Sequence, residues 1–232
     1  VGSEMCRRDR VEGAPHPNET STIFGQKEAI NQFLAAFNTG RLHHAWMVTG
    51  ARGIGKATLT WQIAKFLLST ADPNNGGELF QAPEPILTLS IDTEHPIVRR
   101  IKAGSEPGVM SVRRAYDEKR KKFKKMITVD EIRNVKSFFT LSATDGGRRI
   151  VILDCAEEMN QSAANALLKI LEEPPQNAHL FLVSHQPARL LPTIRSRCRE
   201  LRLKQLTPLD MVQSLEAAKI DVTDIDQNAL AI

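Results

Sequence analysis

Gly50-Ala51-Arg52-Gly53-Ile54-Gly55-Lys56 decides the fold of this chain. It fits the spacing G-x-x-x-x-G-K. Before it stands His44-Ala45-Trp46-Met47-Val48-Thr49, a short apolar run that reads as a buried strand. After it, Lys56 to Ser69 carries Leu59, Ile63, Phe66 and Leu67 on one helical face. Strand, glycine loop and helix are the context this spacing requires. Glycines let the backbone approach phosphate oxygens, while successive N–H groups and the helix N-terminus face the anion. Lys56 would bring its charge to the β and γ phosphates. Gly50, Gly53, Gly55 and Lys56 are therefore candidate nucleotide-binding residues, and Thr58 a weaker one. A chance glycine-rich strand–helix turn is the bland alternative, and the flanking context argues against it.

One position departs from the pattern. After the lysine the motif expects Ser or Thr, whose hydroxyl reaches Mg²⁺. Here it is Ala57. Thr58 follows, but one residue along a helix is a rotation of ~100°, which makes it a poor substitute. A second departure lies after Ile150-Val151-Ile152-Leu153, the strongest strand in the sequence. Asp154 at its end has the position of a Mg²⁺-holding aspartate. The next residue of a hydrolysing enzyme is commonly a glutamate that activates water. Here it is Cys155. The loop can hold a nucleotide while hydrolysis is impaired.

The remaining chain is read around these two anchors. Glu28–Asn38 is an amphipathic helix through Ile30, Phe33, Leu34 and Phe37. Ala71–Pro85, rich in Pro, Gly and Asn, reads as loop. Ile86–Ile91 alternates like a strand, and Lys102–Lys125 is polar with glycine and proline breakers. Asp130 is expected to cap a helix running to Leu141, and Asp145-Gly146-Gly147 marks a turn. Glu157–Glu173 reads as one helix ended by Pro174-Pro175. Leu180–Ser184 and Cys198–Leu203 read as strands, and Ala188–Ile194 as a short helix. Thr207 and Pro208 open a last helix. Apolar strands alternating with helices predict an α/β fold, a parallel sheet with helices on both faces.

Composition removes other classes. The chain has 232 residues, 31 Lys+Arg and 27 Asp+Glu, a charge of +4 that does not by itself imply nucleic acid. No apolar run approaches the ~20 residues that span a bilayer. Residues 1–20 are polar, read as a disordered lead-in with order starting near Ile23, and show no secretory h-region. Cys6, Cys155 and Cys198 are odd in number and lack Cys-x-x-Cys spacing, against a zinc ribbon or disulfide framework and for a reducing, cytoplasmic setting. His43, His44, His179 and His185 lack metal spacing and read as structural. Lys119–Lys125 reads as a solvated helix face or loop, with phosphate-backbone contact as the alternative.

Arg195 and Arg197 would ordinarily be solvated surface arginines. The motifs together change that. The phosphate loop, the Asp154 strand, Asn165–Pro175, Ser196-Arg197-Cys198, Phe24-Gly25-Gln26 and His43-His44-Ala45 resemble the bacterial clamp-loader AAA+ family over about Ile23 to Leu206. The resemblance implies a P-loop AAA+ core over 21–206, then the start of a helical lid over 207–232, with a C-terminal collar absent, as in a truncated chain. It implies that Ser184 is a small polar sensor and that Arg197 is an arginine finger acting on a neighbouring subunit's ATP. The degraded catalytic positions resemble the rigid, largely non-hydrolysing member of the loader ring, and an active gamma/tau-type motor is the alternative. ATP or ADP is the implied ligand, with weak Mg²⁺. No zinc is expected, because the cysteines that hold it in many relatives are missing. The implied partners are the gamma/tau and delta subunits and, through the complex, the sliding clamp and primer-template DNA of DNA replication.

Overall fold

The computed structural model describes residues 15–71, 84–140 and 147–218. Residues 1–14 of the lead-in, most of the Ala71–Pro85 loop, Leu141, the Asp145-Gly146 turn and the last fourteen lid residues lie outside them.

Five parallel strands form one sheet. They are β1 (Ala45–Thr49), β2 (Val109–Val112), β5 (Arg149–Leu153), β6 (Ala178–Ser184) and β7 (Arg199–Arg202), in the order β2-β5-β6-β1-β7. The short antiparallel pair β3 (Tyr116–Asp117) and β4 (Lys122–Phe123) stands apart from it. Side chains alternate between two cores. Trp46, Val48, Ile150, Ile152, Phe181 and Val183 face α1 (Lys27–Asn38), α2 (Lys56–Ser69) and α3 (Pro96–Ala103). Ala45, Met47, Val151, Leu153, Leu180 and Leu182 face α4 (Val129–Thr140), α5 (Gln161–Glu172) and α6 (Pro192–Arg195). Buried on both faces, the three central strands need apolar residues at nearly every position, which is why they are continuous apolar runs. The expected α/β architecture is observed.

Phe33 of α1 anchors the first core. It is fully buried, 5.4 Å from the Trp46 ring and 6.4 Å from those of Phe66 and Phe181. A last helix, α7 (Pro208–Ala217), starts on a capping box: Thr207 accepts from the Asp210 N–H, and the Asp210 carboxylate accepts from the Thr207 N–H.

Several expectations are corrected. Ile86–Ile91 is not a strand, because the Asn38 side chain takes both the N–H and the carbonyl of Ile86. Within the polar 102–125 stretch, Val109–Val112 is an edge strand, held by its register on β5 rather than by its own pattern. The basic run is no helix face: it forms the β3–β4 hairpin, with Lys121 at φ 52° in the turn. Val129, not Asp130, opens α4, with the Glu131 carboxylate accepting from the Thr128 N–H just before it. The expected helix from Glu157 is two pieces, a 3-10 turn (Ala156–Glu158) and α5, which starts after Asn160, whose side chain caps the Ala163 N–H. The expected Ala188–Ile194 helix is likewise split, into a 3-10 turn (Pro187–Arg189) and α6. Residues before Ile23 are already held in place: Asn18 donates to the Ile101 carbonyl and the Thr20 carbonyl accepts from Lys65.

Candidate nucleotide site

Parallel strands gather their C-terminal ends on one edge, and crossovers leave a crevice there. In register, Thr49 of β1 lies beside Ser184 of β6, and Leu153 of β5 beside Leu182 of β6. Gly50, Asp154 and Ser184 are thus brought to one edge of the sheet. Ser184 is fully buried, and its hydroxyl accepts from the Gln186 N–H at 3.2 Å.

The loop from Gly50 to Gly55 has a backbone only glycine takes easily. Gly50, Gly53 and Gly55 have φ of 141°, 79° and 91°. A Cβ on Gly50 would meet Ile54 Cδ1 at 2.5 Å and the Leu203 carbonyl oxygen at 3.0 Å. Nothing stands within 4 Å of where a Gly53 Cβ would be. Lys56 follows at the start of α2 and folds back, its ammonium donating to the carbonyls of Gly50, at 2.9 Å, and Ala51. Burial lowers its pKa, while Glu157, Cys155 and Asp154 pull it back up. The residues present fit a phosphate: a glycine loop, a helix N-terminus and a lysine folded onto the loop.

A metal fits less well. Burial raises the Asp154 carboxyl above its ordinary range, although the Cys155 N–H and the Arg113 charge oppose the rise. Ala57 offers no ligand, and no group of three or more His, Cys, Asp or Glu among the described residues could hold a metal ion. Cys155, at φ 55° and half-buried rather than fully buried, points its thiol to Asp154 Oδ1 at 3.9 Å. Burial and the Asp154 charge push this thiol up to about 12. It stays protonated at neutral pH, so it can donate but cannot take a proton from water.

Beside the loop lies a cleft of about 160 Å³ lined by Ile23, Phe24, Gly53, Gly55, Thr58 and Leu206, with Ser214 and Ala217 of α7. It is smaller than the ~300 Å³ at which small-molecule sites usually start. As it stands it takes a base-sized group rather than a whole nucleotide.

Arg197 is not part of this cluster. Its guanidinium pairs with Glu172 of α5 at 2.8 Å and donates to the Thr193 carbonyl at 3.0 Å. It is held on the surface by its own chain. Cys198 beside it packs into the second core, with burial pushing its thiol up to about 12. His43 and His44 are structural: the rings stack at 4.4 Å, and their nitrogens pair with backbone atoms of Ala45 and Leu171.

Two residues stand at the site with a role that the sequence reading did not give them. Gln26 is buried, its amide donating to the Lys204 carbonyl at 2.9 Å and the Ile54 carbonyl at 3.3 Å. It ties the phosphate loop to the strand leading to α7. Glu157 is buried beside Asp154, with Oε1 accepting from the His185 N–H at 3.2 Å and pairing with its Nδ1 at 2.5 Å. Its Oε2 is buried with no hydrogen-bond partner. These links span 28 to 178 positions, and no local pattern carries them.

The sequence pattern of the family described as DNA polymerase III, delta subunit, matches residues 25–207. The chain belongs to that family. It is 38% identical to the DNA polymerase III subunit delta' of Pseudomonas aeruginosa over 166 residues, 72% of this chain and 43% of that relative. It is 28% identical to the DNA polymerase III subunit gamma of Buchnera aphidicola from Schizaphis graminum, over 93% of this chain and 53% of the relative. A solved DNA polymerase III gamma subunit-related protein from Thermotoga maritima aligns at 20% identity with a TM-score of 0.45, covering 84% of this chain and 54% of the other. The chain spans about half the length of these curated relatives. Among the described residues, no helix is long and apolar enough to cross a membrane.

Proposed function

We propose that this chain is the AAA+ core of a delta prime subunit of the DNA polymerase III clamp loader. It helps to load the sliding clamp onto primer-template DNA in the cytoplasm, and it turns over little or no ATP itself. One observation carries the reading: Lys56 is folded onto the Gly50–Gly55 loop, while Ala57 and a protonated Cys155 stand where a metal-binding hydroxyl and a water-activating glutamate are expected. ATP or ADP would bind at Gly50, Gly53, Gly55 and Lys56, with Thr58 beside the cleft and Asp154 and Ser184 at the sheet edge. Mg²⁺ would add little, for want of a hydroxyl at position 57.

Arg197 would act in trans, on the ATP of an adjoining gamma/tau subunit. Its ion pair with Glu172 is exposed enough to exchange, since the two side chains keep 37% and 50% of their surface. The family likeness and the surface position support this role. A gamma-type motor is the second reading, favoured by the gamma relative's longer coverage of this chain. The two part on turnover. With clamp and primed DNA present, steady-state hydrolysis by the protein alone should stay far below the ~1–10³ s⁻¹ of ordinary enzymes. A rate of about 1 s⁻¹ or more would establish the motor reading instead.

A further inference from the structure

Between α1, α2, α3 and the segment 87–93 lies a second cleft, of about 660 Å³. That is within the ~300–1,000 Å³ of small-molecule sites. Its charge is one-sided. Lys27, Lys65 and Lys102, one from each helix, line it, and among the described residues no Asp or Glu does. Among the described residues no ion pair engages any of the three.

Lys65 is the telling member. It is 6% exposed, and its ammonium donates to the Thr20 carbonyl at 3.2 Å. One bond to a neutral carbonyl leaves most of the donor capacity of an ammonium unused. Burying a cation without an anion is costly, and a perturbed lysine in a cleft is a functional-site candidate. Burial and the neighbouring Lys102 charge lower it to about 8. Lys27 from α1, Lys102 from α3 and the neutral Gln62 complete its surroundings in the cleft.

The cations are all lysines. Compact ammonium charges hold phosphate oxygens as point charges, as the lysine of a phosphate loop does, without the fixed bidentate fork of arginine. Among the described residues no aromatic side chain lines the cleft, so they offer no surface to stack a base. Ile30, Leu89 and Val98 supply an aliphatic wall. We propose that this cleft binds a small phosphorylated molecule with an aliphatic body, its phosphate held by Lys65 and Lys102 and its body against that wall. The inference does not depend on the phosphate loop.

Thr22 and Ile23 line both clefts, so variants must tell the two sites apart. The experiment is calorimetric titration of the whole chain with inorganic pyrophosphate at about pH 8.5. In a Lys56→Ala background, which disables the phosphate loop, saturable binding should remain. Lys65→Met should weaken this binding ~10- to 100-fold, the worth of one charge-assisted hydrogen bond. In a chain with Lys56 intact it should leave binding at the phosphate loop unchanged. Binding should also take up a proton, so that the heat depends on the buffer, and Lys65→Met should abolish that dependence. Should Lys65→Met fail to fold, Lys102→Gln must weaken binding by about tenfold or more. The proposal is overturned if the Lys56→Ala chain shows no saturable binding, or if Lys65→Met and Lys102→Gln bind as the parent does. An acidic peptide that binds where pyrophosphate does not overturns it too. For the aliphatic half, n-butyl phosphate should bind more tightly than inorganic phosphate, and equal affinities would discard it.

Discussion

Cys155 shows how one side chain sets chemistry. Its thiol donates to Asp154 Oδ1 and, pushed up to about 12, remains a donor throughout the physiological range. A base is needed where a donor stands. Ala57, two residues after the last loop glycine, Gly55, offers no hydroxyl to a metal. Both departures were legible in the sequence, because each is a residue type at a fixed offset from a motif. The partners of Glu157, His185 and Gln26 were not, because only the fold fixes them. Glu172 was legible as part of a motif, but its hold on Arg197 was not. That hold makes a prediction. In a reconstituted loader, Arg197→Ala should lower the neighbouring subunit's hydrolysis by several orders of magnitude, within the ~10³–10⁵ span of arginine fingers. Glu172→Gln, which removes the ion pair but leaves the bond to the Thr193 carbonyl, should preserve or raise it. Unchanged turnover with Arg197→Ala would remove Arg197 from the mechanism.

Lys65 supports a prediction on stability. Its value of about 8 in the folded chain lies below the 10.5 of an ordinary lysine. Between those values the unfolded chain holds the extra proton, so stability rises with pH across that window. The cost of the buried charge is therefore fully present below about pH 8. Lys65→Met should raise Tm at pH 7 by about 2–4 °C for each kcal/mol gained, and the gain should fade towards pH 10.5. A gain that does not change with pH would show that the charge is not its source.

Elements were legible where their own pattern decides them. β1, β5 and β6 are continuous apolar runs buried on both faces, and α1 and α2 repeat at helical spacing. β2 escaped because its four residues become a strand only against β5. Ile86–Ile91 failed in the opposite sense: its alternation suits a strand, but Asn38 already holds its backbone. The start of α7 was read correctly from Thr207 and Pro208, and the capping box explains why. Thr207→Ala should destabilise α7 by about 1 kcal/mol. Hydrogen exchange at the first amides of α7 should report it, with faster exchange there and little change in β6. Uniform loosening across the sheet would mean that the cap supports more than its own helix.

At the scale of the molecule, the sheet brings Gly50, Asp154 and Ser184 to one edge and leaves Arg197 outside, tied to α5. On the proposed reading, one chain carries two halves of different sites, a cradle for its own nucleotide and a cation offered to a neighbour. The architecture was legible from strand–helix alternation, whereas the narrow cleft under α7 and the lysine-lined cleft behind Ile23 depend on how separate segments meet.

On the proposed reading, the phosphate loop has kept its cradle and lost its metal chemistry. ADP affinity measured by calorimetry, with Mg²⁺ present and then removed by chelator, tests it most directly. The expected result is binding that Lys56→Ala abolishes and that Mg²⁺ alters by less than about threefold, well under the tenfold that 1.4 kcal/mol represents. Tightening of tenfold or more with Mg²⁺ would mean that a working metal site survives without the hydroxyl at position 57, and would contradict the account.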